Sequence, residues 1–480
     1  MKRIEEYIKR EVVTSSSKVI DFCVESLGLS EDNARKKVQL LPSSSIIKIK
    51  GICSKRQSIL YHRDSPRDET FYSHLMDTLS INAQQHFFVL NALQLHGGFI
   101  LKEKLASFSI SPIEDTKGHK SFGSVIEDLK RLELIKESSS NYSLSHSPFS
   151  EARSKAIDLV QTITREHFHE WARNIGLISY NSAKFDSKFS RYQFSLVAPS
   201  YIKSLTSGKE KKTPAFLIAD ILLNNTKVTT SDIDFFIKKI ENISHQNNQA
   251  RFIPFLLTST HDADIYQKLK KSGIIIGNID ELFGEKYTES IFGLLNLIEN
   301  AGAILKKNPD QYIKLIENIE KIAIGKTYNL KGALFEMAVG LFHGSQCQSL
   351  EISKRIYADT KEVEVDVYAV YQDHVVFAEC KGYNSPIGDK YVENWLSQKT
   401  PTIRNWALGQ GSLQNKEIHF EIWSTGGFSE QASERLQSMK EKTKKYSIDY
   451  FDINQMKSLA KKKRKNHFLK IIKEYYEKTI

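Results

Sequence analysis

Apolar positions along the first 64 residues recur at helical spacing and then switch to the shorter period of strands. Ile4, Tyr7 and Ile8 mark one amphipathic helix, and Val19, Ile20, Phe22 and Cys23 a second. Ser30 stands at the N-cap of a third, with Glu31 and Asp32 in its first turn and Pro42 as its stop. Two β-rich runs follow, 46–50 and 59–62, around the turn Ser54-Lys55-Arg56-Gln57. The same order returns over residues 82–145: Phe87, Phe88, Leu90 and Leu93 give a helix, Leu101 and Leu105 another, Val125, Leu129 and Leu132 a third, and LELIKESSSNYSLS two short strands around a polar turn. A long helix over 155–174, the segment GLISY and a strand over 192–197 come next.

Further along, the pattern predicts a helix over 330–342, with Leu330, Leu334, Met337, Ala338 and Leu341 on its apolar face. Glu336 lies off that stripe, framed at four residues by Gly332 and Gly340. A period-two strand over 362–370 puts its valines on one face and Glu362, Glu364 and Asp366 on the other. The run 375–381 is apolar through Ala378, as in a central strand, and then presents Glu379 and Lys381 on one face with Cys380 on the other. An amphipathic helix follows at Val392, Trp395 and Leu396, with strands over 419–424 and 447–451.

With 480 residues and roughly 100–200 per domain, three or four domains are expected. The chain is 40% hydrophobic and 26% charged with only 10 prolines, which argues against long disordered linkers. Its 68 Lys and Arg against 57 Asp and Glu give a net charge of +11, which favours polyanionic partners without identifying one. Cys23, Cys53, Cys347 and Cys380 lack the short spacing of a zinc or redox motif and fit a reducing compartment. MKRIEEYIKR lacks a signal-peptide core, and no apolar run reaches a membrane span, so a cytoplasmic, soluble protein with no membrane partner is expected.

Two motif fragments are set aside. Gly325-Lys326-Thr327 lacks the upstream glycine of a phosphate loop, where Glu320 stands, and His169-Glu170-Trp171-Ala172-Arg173 has Arg where a zinc helix needs its second His. The run Lys461-Lys462-Lys463-Arg464-Lys465 reads as a solvated helix face.

The chemistry concentrates at 336–381. Like charges stacked at Glu364 and Asp366 repel, and a divalent cation offsets that repulsion. Two carboxylates on adjacent hairpin strands can hold Mg²⁺ while waters and a phosphate complete its shell, and a lysine beside them can orient or deprotonate the attacking water. Helix Glu336, then Asp366, then Glu379-x-Lys381 resembles the PD-(D/E)xK nuclease superfamily in its restriction-endonuclease-like, Mrr-like branch, over roughly residues 300–480. The resemblance implies Asp366 and Glu379 as metal ligands for Mg²⁺, with Mn²⁺ as a substitute, Lys381 for water activation and Glu336 as an outer ligand. It also implies a polar role for Gln398, and the proline that often precedes the aspartate is missing here; Glu364, on the same strand face as Asp366, is an additional acidic candidate. The N-terminal order resembles a winged helix-turn-helix, which implies DNA contacts from Arg35, Lys36 and Lys37 on the third helix and from Lys55 and Arg56 on the wing.

The segment 216–237 compares with 376–396, and from Ala219 onward the overlay runs without a gap. Ala219-Asp220-Ile221-Leu222 falls on Ala378-Glu379-Cys380-Lys381, Val228 on Ile387, Ile233 on Val392 and Phe236 on Trp395. Leucine at the lysine position suggests a nuclease-like fold that has lost its chemistry.

The expected fold class is therefore multi-domain α/β. Winged helices of mostly α character with β-hairpin wings fill 1–75 and 80–150, a helix plus hairpin or third winged helix 151–208, an α/β domain 209–295, and a restriction-endonuclease-like αβ sandwich with a mixed sheet 300–480. The expected activity is Mg²⁺-dependent endonuclease cleavage of double-stranded DNA in restriction or anti-phage defence. RNA cleavage and a non-catalytic nucleic-acid-binding regulator are the rivals, and a homodimer or an obligate partner protein is compatible with all three.

Overall fold

Ile4 and Ile8 on the helix Lys2–Glu11, Val19 and Cys23 on Ser16–Glu25, and Ala34 and Val38 on Glu31–Gln39 close over one small core with Ile46 and Leu60. Beneath them β1 (Val13–Ser15), β2 (Ile46–Lys50) and β3 (Ser58–His62) form an antiparallel sheet in the order β1-β3-β2. The pattern marks the three helices and the hairpin; β1, at three residues, is too short to show a period. Ser30 stands at the N-cap, though its hydroxyl makes no capping hydrogen bond. An unmarked helix, Glu69–Asn82, then runs through the expected break at 75–80, capped by Asp68 and burying Phe71, Leu75 and Leu79. The helices Gln84–Leu95 and Phe122–Arg131 follow, with a second small sheet of β4 (Phe99–Leu101), β5 (Ile135–Glu137) and β6 (Asn141–Leu144) in the order β4-β6-β5.

The structure is a computed structural model. It describes the chain apart from residues 116–119, 147–149, 207–212, 224–227, 247–249, 260–262, 308–309, 317–327, 359–360 and 478–480 and the side chains of Lys55, Tyr328, Asn329 and Lys361. The phosphate-loop-like 325–327 with Glu320 lies outside the described residues, as does the side chain of Lys55. The chain divides into two compact units, Met1–Phe149 with Thr164–Leu282 and Ser150–Ile163 with Phe283–Ile480, and the helix Glu151–Asn174 contributes to both.

In the first unit, β7 (Lys184–Phe189), β8 (Tyr192–Ser200), β9 (Ala215–Leu222), β10 (Phe252–Thr258) and β11 (Ile275–Asn278) form one sheet in the order β11-β10-β9-β8-β7. The β7–β8 and β8–β9 pairs are antiparallel; β9–β10 and β10–β11 are parallel. This corrects one expectation: the hairpin of 151–208 belongs to the same sheet as 209–295 rather than to a separate winged helix, because the apolar β8 pairs directly with β9.

In the second unit the helix Tyr328–Gly344 precedes β12 (Ser349–Ala358), β13 (Lys361–Val370) and β14 (His374–Lys381). The helix Asp389–Asn394, a π turn Trp395–Lys399 and the helix Thr400–Leu408 lead to β15 (Glu417–Ser424), the helix Glu430–Lys442 and β16 (Ser447–Phe451). The sheet order is β12-β13-β14-β15-β16, with the first two pairs antiparallel and the last two parallel. Val367, Ala369, Val376 and Ala378 pack in one layer with Phe335 and Met337; Val375, Phe377 and Phe420 pack in the other with Val392, Trp395 and Leu436. Covering both faces suits the apolar strands β14 and β15. The chain is thus a multi-domain α/β protein with mixed sheets. Among the described residues, no helix is long and apolar enough to cross a membrane.

Candidate active site

β12 and β13 pair residue by residue except at Ser353 and Asp366, which stand opposite each other outside the ladder. Ser353 has a left-handed backbone, φ +57°. At this step both strands change face. Leu350 and Ile352 join the layer of the helix Tyr328–Gly344 while Ile356 joins the other, and Val367 parts from Val363 and Val365 in the same way. Unbroken alternation, with all valines on one face, therefore fails at Asp366.

β14 keeps its period. Cys380 is buried in the layer of the helix Tyr328–Gly344, and Glu379 and Lys381 share the opposite face, with Lys381 Nζ 2.8 Å from Glu379 Oε1 and 3.7 Å from Asp366 Oδ2. Cys380 N–H donates to Asp366 Oδ2 at 2.7 Å. Gly382 follows at once, and a Cβ there would come within 3.0 Å of Lys331 O and 2.9 Å of Phe335 Cβ, so the strand end lies against the helix that carries Glu336. Of the two glycines that frame Glu336, Gly340 lies close against Ile352, whereas a Cβ on Gly332 would meet nothing within 4 Å. Glu336 itself is largely enclosed, with a side chain only 13% exposed.

The charges are unevenly balanced. Burial first, then the Glu379 and Glu336 carboxylates, push the Asp366 carboxyl up to about 7. Burial also works against ionising Glu379, but Lys399 and Lys381 outweigh it and bring that carboxyl down to about 2. Lys381 is held in its charged form: burial opposes this, and Asp366 and Glu379 override it.

Three side chains that sequence reasoning missed complete the cluster. Lys399 and the Tyr391 hydroxyl both donate to Glu379, so with Lys381 they engage both of its oxygens. Lys155, from the first turns of the helix Glu151–Asn174, reaches Glu336 Oε2 at 2.9 Å, Glu364 Oε1 at 3.0 Å and Ser353 Oγ at 2.7 Å. Glu364 thus joins the cluster through Lys155, which overcomes the effect of burial and holds its carboxyl below the usual range. Gln398 is exposed, and it is its neighbour Lys399 that reaches Glu379. A π turn fits one residue more than an α turn. The turn Trp395–Lys399 therefore rotates the next position inward. Of the N-terminal basic residues, Arg35 and Lys36 are exposed on Glu31–Gln39, with Arg35 2.5 Å from Glu31; Lys37 is half-buried and Arg56 exposed at φ +57°.

The registers of the two large sheets can be matched. Ala378 faces Val367 on β13, and Ala219 faces Leu196 on β8, so Ser195 holds the position of Asp366 and Asp220 that of Glu379. The pair Asp186–Ser195 is likewise missing from the β7–β8 ladder, and Asp186 has φ +44°. Asp220 is fully buried; it accepts from Ser195 N at 2.8 Å and Ser195 Oγ at 3.0 Å and lies 2.5 Å from Lys239 Nζ. Arg165 pairs with Asp186 at 2.5 Å.

No group of three His, Cys, Asp or Glu side chains among the described residues is arranged to hold a metal ion. Asp366 and Glu379 nevertheless suit a hard divalent cation that needs only one or two carboxylates, because Asp366 is a buried acid crowded by two others. No family model matches the chain, and no curated protein matches it. Among solved structures it is similar to protein VC1899 from Vibrio cholerae, at 9% identity and a TM-score of 0.16 over 44% of this chain and 51% of that one. It is also similar to restriction endonuclease FokI bound to DNA, at 10% identity and 0.18 over 56% and 58%, and to FokI alone, at 13% and 0.20 over 94% and 80%. The chain thus spans about half the length of VC1899, and at such TM-scores neither fold nor activity is carried over from these proteins.

Proposed function

We propose that the chain is a metal-dependent endonuclease that hydrolyses phosphodiester bonds of duplex DNA. The observation that supports this is the convergence of Asp366, midway along β13, with Glu379 and Lys381 at the end of β14 and Glu336 on the adjoining helix. Asp366 and Glu379 would hold Mg²⁺ or Mn²⁺, which when bound polarises a phosphoryl oxygen and lowers the pKa of a bound water. Lys399 and Tyr391 fix the Glu379 carboxylate in one orientation. Lys381, kept protonated by its two carboxylate neighbours, orients the attacking water and stabilises charge gathering on the phosphate oxygens; the same neighbours disfavour its service as a base. Water attacks phosphorus in line as the bond to the departing sugar oxygen breaks.

The same reading makes the N-terminal helices and hairpins winged-helix modules that place duplex DNA, with Arg35 and Lys36 on the exposed face of the third helix. The sheet of β7 to β11 becomes a scaffold that has lost its chemistry, since Ser195 and Leu222 stand where Asp366 and Lys381 stand in the other. Restriction or anti-phage defence is the setting such a combination suits. Incubating the purified chain with plasmid, linear duplex and RNA, with and without Mg²⁺ or Mn²⁺, tests the proposal. Metal-dependent DNA cleavage abolished by Glu379→Ala supports it; cleavage indifferent to Glu379 and Lys381, or confined to RNA, overturns it.

A further inference from the structure

A cation already sits among the outer carboxylates. The three hydrogens of the Lys155 ammonium meet Glu336, Glu364 and the Ser353 hydroxyl, all within 3.0 Å. Ser353 Oγ also reaches Glu336 Oε2 at 3.1 Å, so the helix, β12 and β13 are tied through one nitrogen. The turn before Lys155 is anchored as well: Glu151 lies 3.6 Å from Arg355 Nε and accepts from the Tyr357 hydroxyl at 3.3 Å, and Arg355 pairs in turn with Glu362. Lys155 is therefore held both by its own three contacts and by the anchored turn before it.

Two carboxylates that approach one nitrogen from a helix and a strand also approach each other. Without Lys155 they would frame a point onto which a divalent cation could draw them after a small shift, since oxygen ligands close to about 2.1–2.6 Å around Mg²⁺, Mn²⁺ or Ca²⁺. We infer that Lys155 is a positioning residue acting as a built-in counter-cation: it holds Glu336 and Glu364 and keeps a second divalent cation out, so that the centre takes a single ion at Asp366 and Glu379. The location of that single ion rests on the reading proposed above; the exclusion of a second does not.

The test counts Mn²⁺ bound by the full chain without nucleic acid, by electron paramagnetic resonance of the free ion and by titration calorimetry. Lys155→Met is expected to bind one ion more per chain than wild type, and Lys155→Gln, which keeps a donor toward Glu336 and guards against a folding failure of the first variant, to show the same gain with weaker affinity. Lys155→Arg retains the charge and should show no gain. In Lys155→Met/Glu364→Gln the extra ion should be lost. Equal counts in wild type and Lys155→Gln, or a gain that survives Glu364→Gln, overturns the inference. The inner ion is scored separately: if Asp366→Asn binds as many ions as wild type, the metal assignment above fails while the difference made by Lys155 still stands.

Discussion

Between β7–β11 and β12–β16 the strand order, the strand senses and an unpaired step with a positive φ all recur. The side chains at matching positions do not. In the C-terminal sheet Asp366, Glu379, Lys381 and Lys399 crowd together, and the two lysines keep 19% and 24% of their side-chain surface exposed. In the central sheet Asp220 meets one lysine, Lys239, and both are 0% exposed. Burial pushes the Asp220 carboxyl up and the Lys239 ammonium down, each countered by the attraction of the other, while Ser195, Ser107 O and Gln193 O supply the remaining hydrogen bonds. The same backbone thus accommodates a saturated ion pair that solvent cannot reach, or an unevenly compensated cluster that it can. Only the second retains an electrostatic demand that a ligand could satisfy.

Substitutions at matching positions should therefore fail in different ways. The largest effect is expected at Asp220→Ala, which strands a buried ammonium and should cost about 3–5 kcal/mol in urea unfolding of the first unit. Asp220→Leu/Lys239→Met should recover most of that loss, and a double variant no better than the single one would break the contrast. Lys381→Ala should lower metal-dependent plasmid nicking at least about 10²-fold, or about 3 kcal/mol in barrier, with little change in unfolding.

Asp366→Asn should abolish nicking and yet stabilise the metal-free chain by on the order of 1–3 kcal/mol at pH 8. The sign follows from a folded-state value raised to about 7. Its contribution to stability is present below the ordinary carboxylate range and is lost as pH rises through about 7, so the gain from the amide should vanish near pH 4. Reversing Lys36 and Lys37 to Glu should weaken duplex binding and flatten its salt dependence by about one to two contacts without altering unfolding. The smallest effect is expected at Gln398→Ala, which should leave nicking unchanged, whereas Lys399→Met should lower it about tenfold; equal effects would deny the π turn its role.

Much of this contrast was legible in residue order. The apolar runs of β14 and β15 and the alternation of β13 fix their strands, and Asp220 over Glu379 is visible without coordinates. The edge strands β7, KFDSKF, and β12, SLEISKRIYA, were not, because a strand paired on one side tolerates charges that blur its period. Nor does the face change at Asp366 leave a mark, since KEVEVDVYAV alternates straight through it. Lys155 had no local signal at all; it is separated from Glu336 by 181 residues and meets it only through tertiary packing. Lys399 left a faint one, for the gap-free overlay carried three residues past Phe236 brings a lysine, Lys239, beneath Gln398.

Ser353 combines two demands that no single substitution meets. Glycine would adopt φ +57° without strain and should relieve about 1 kcal/mol of backbone cost. It would also remove the hydroxyl between Lys155 and Glu336. The backbone gain and the lost hydrogen bonds oppose each other, so Ser353→Gly should leave stability nearly unchanged while freeing Lys155 and Glu336 from their shared partner.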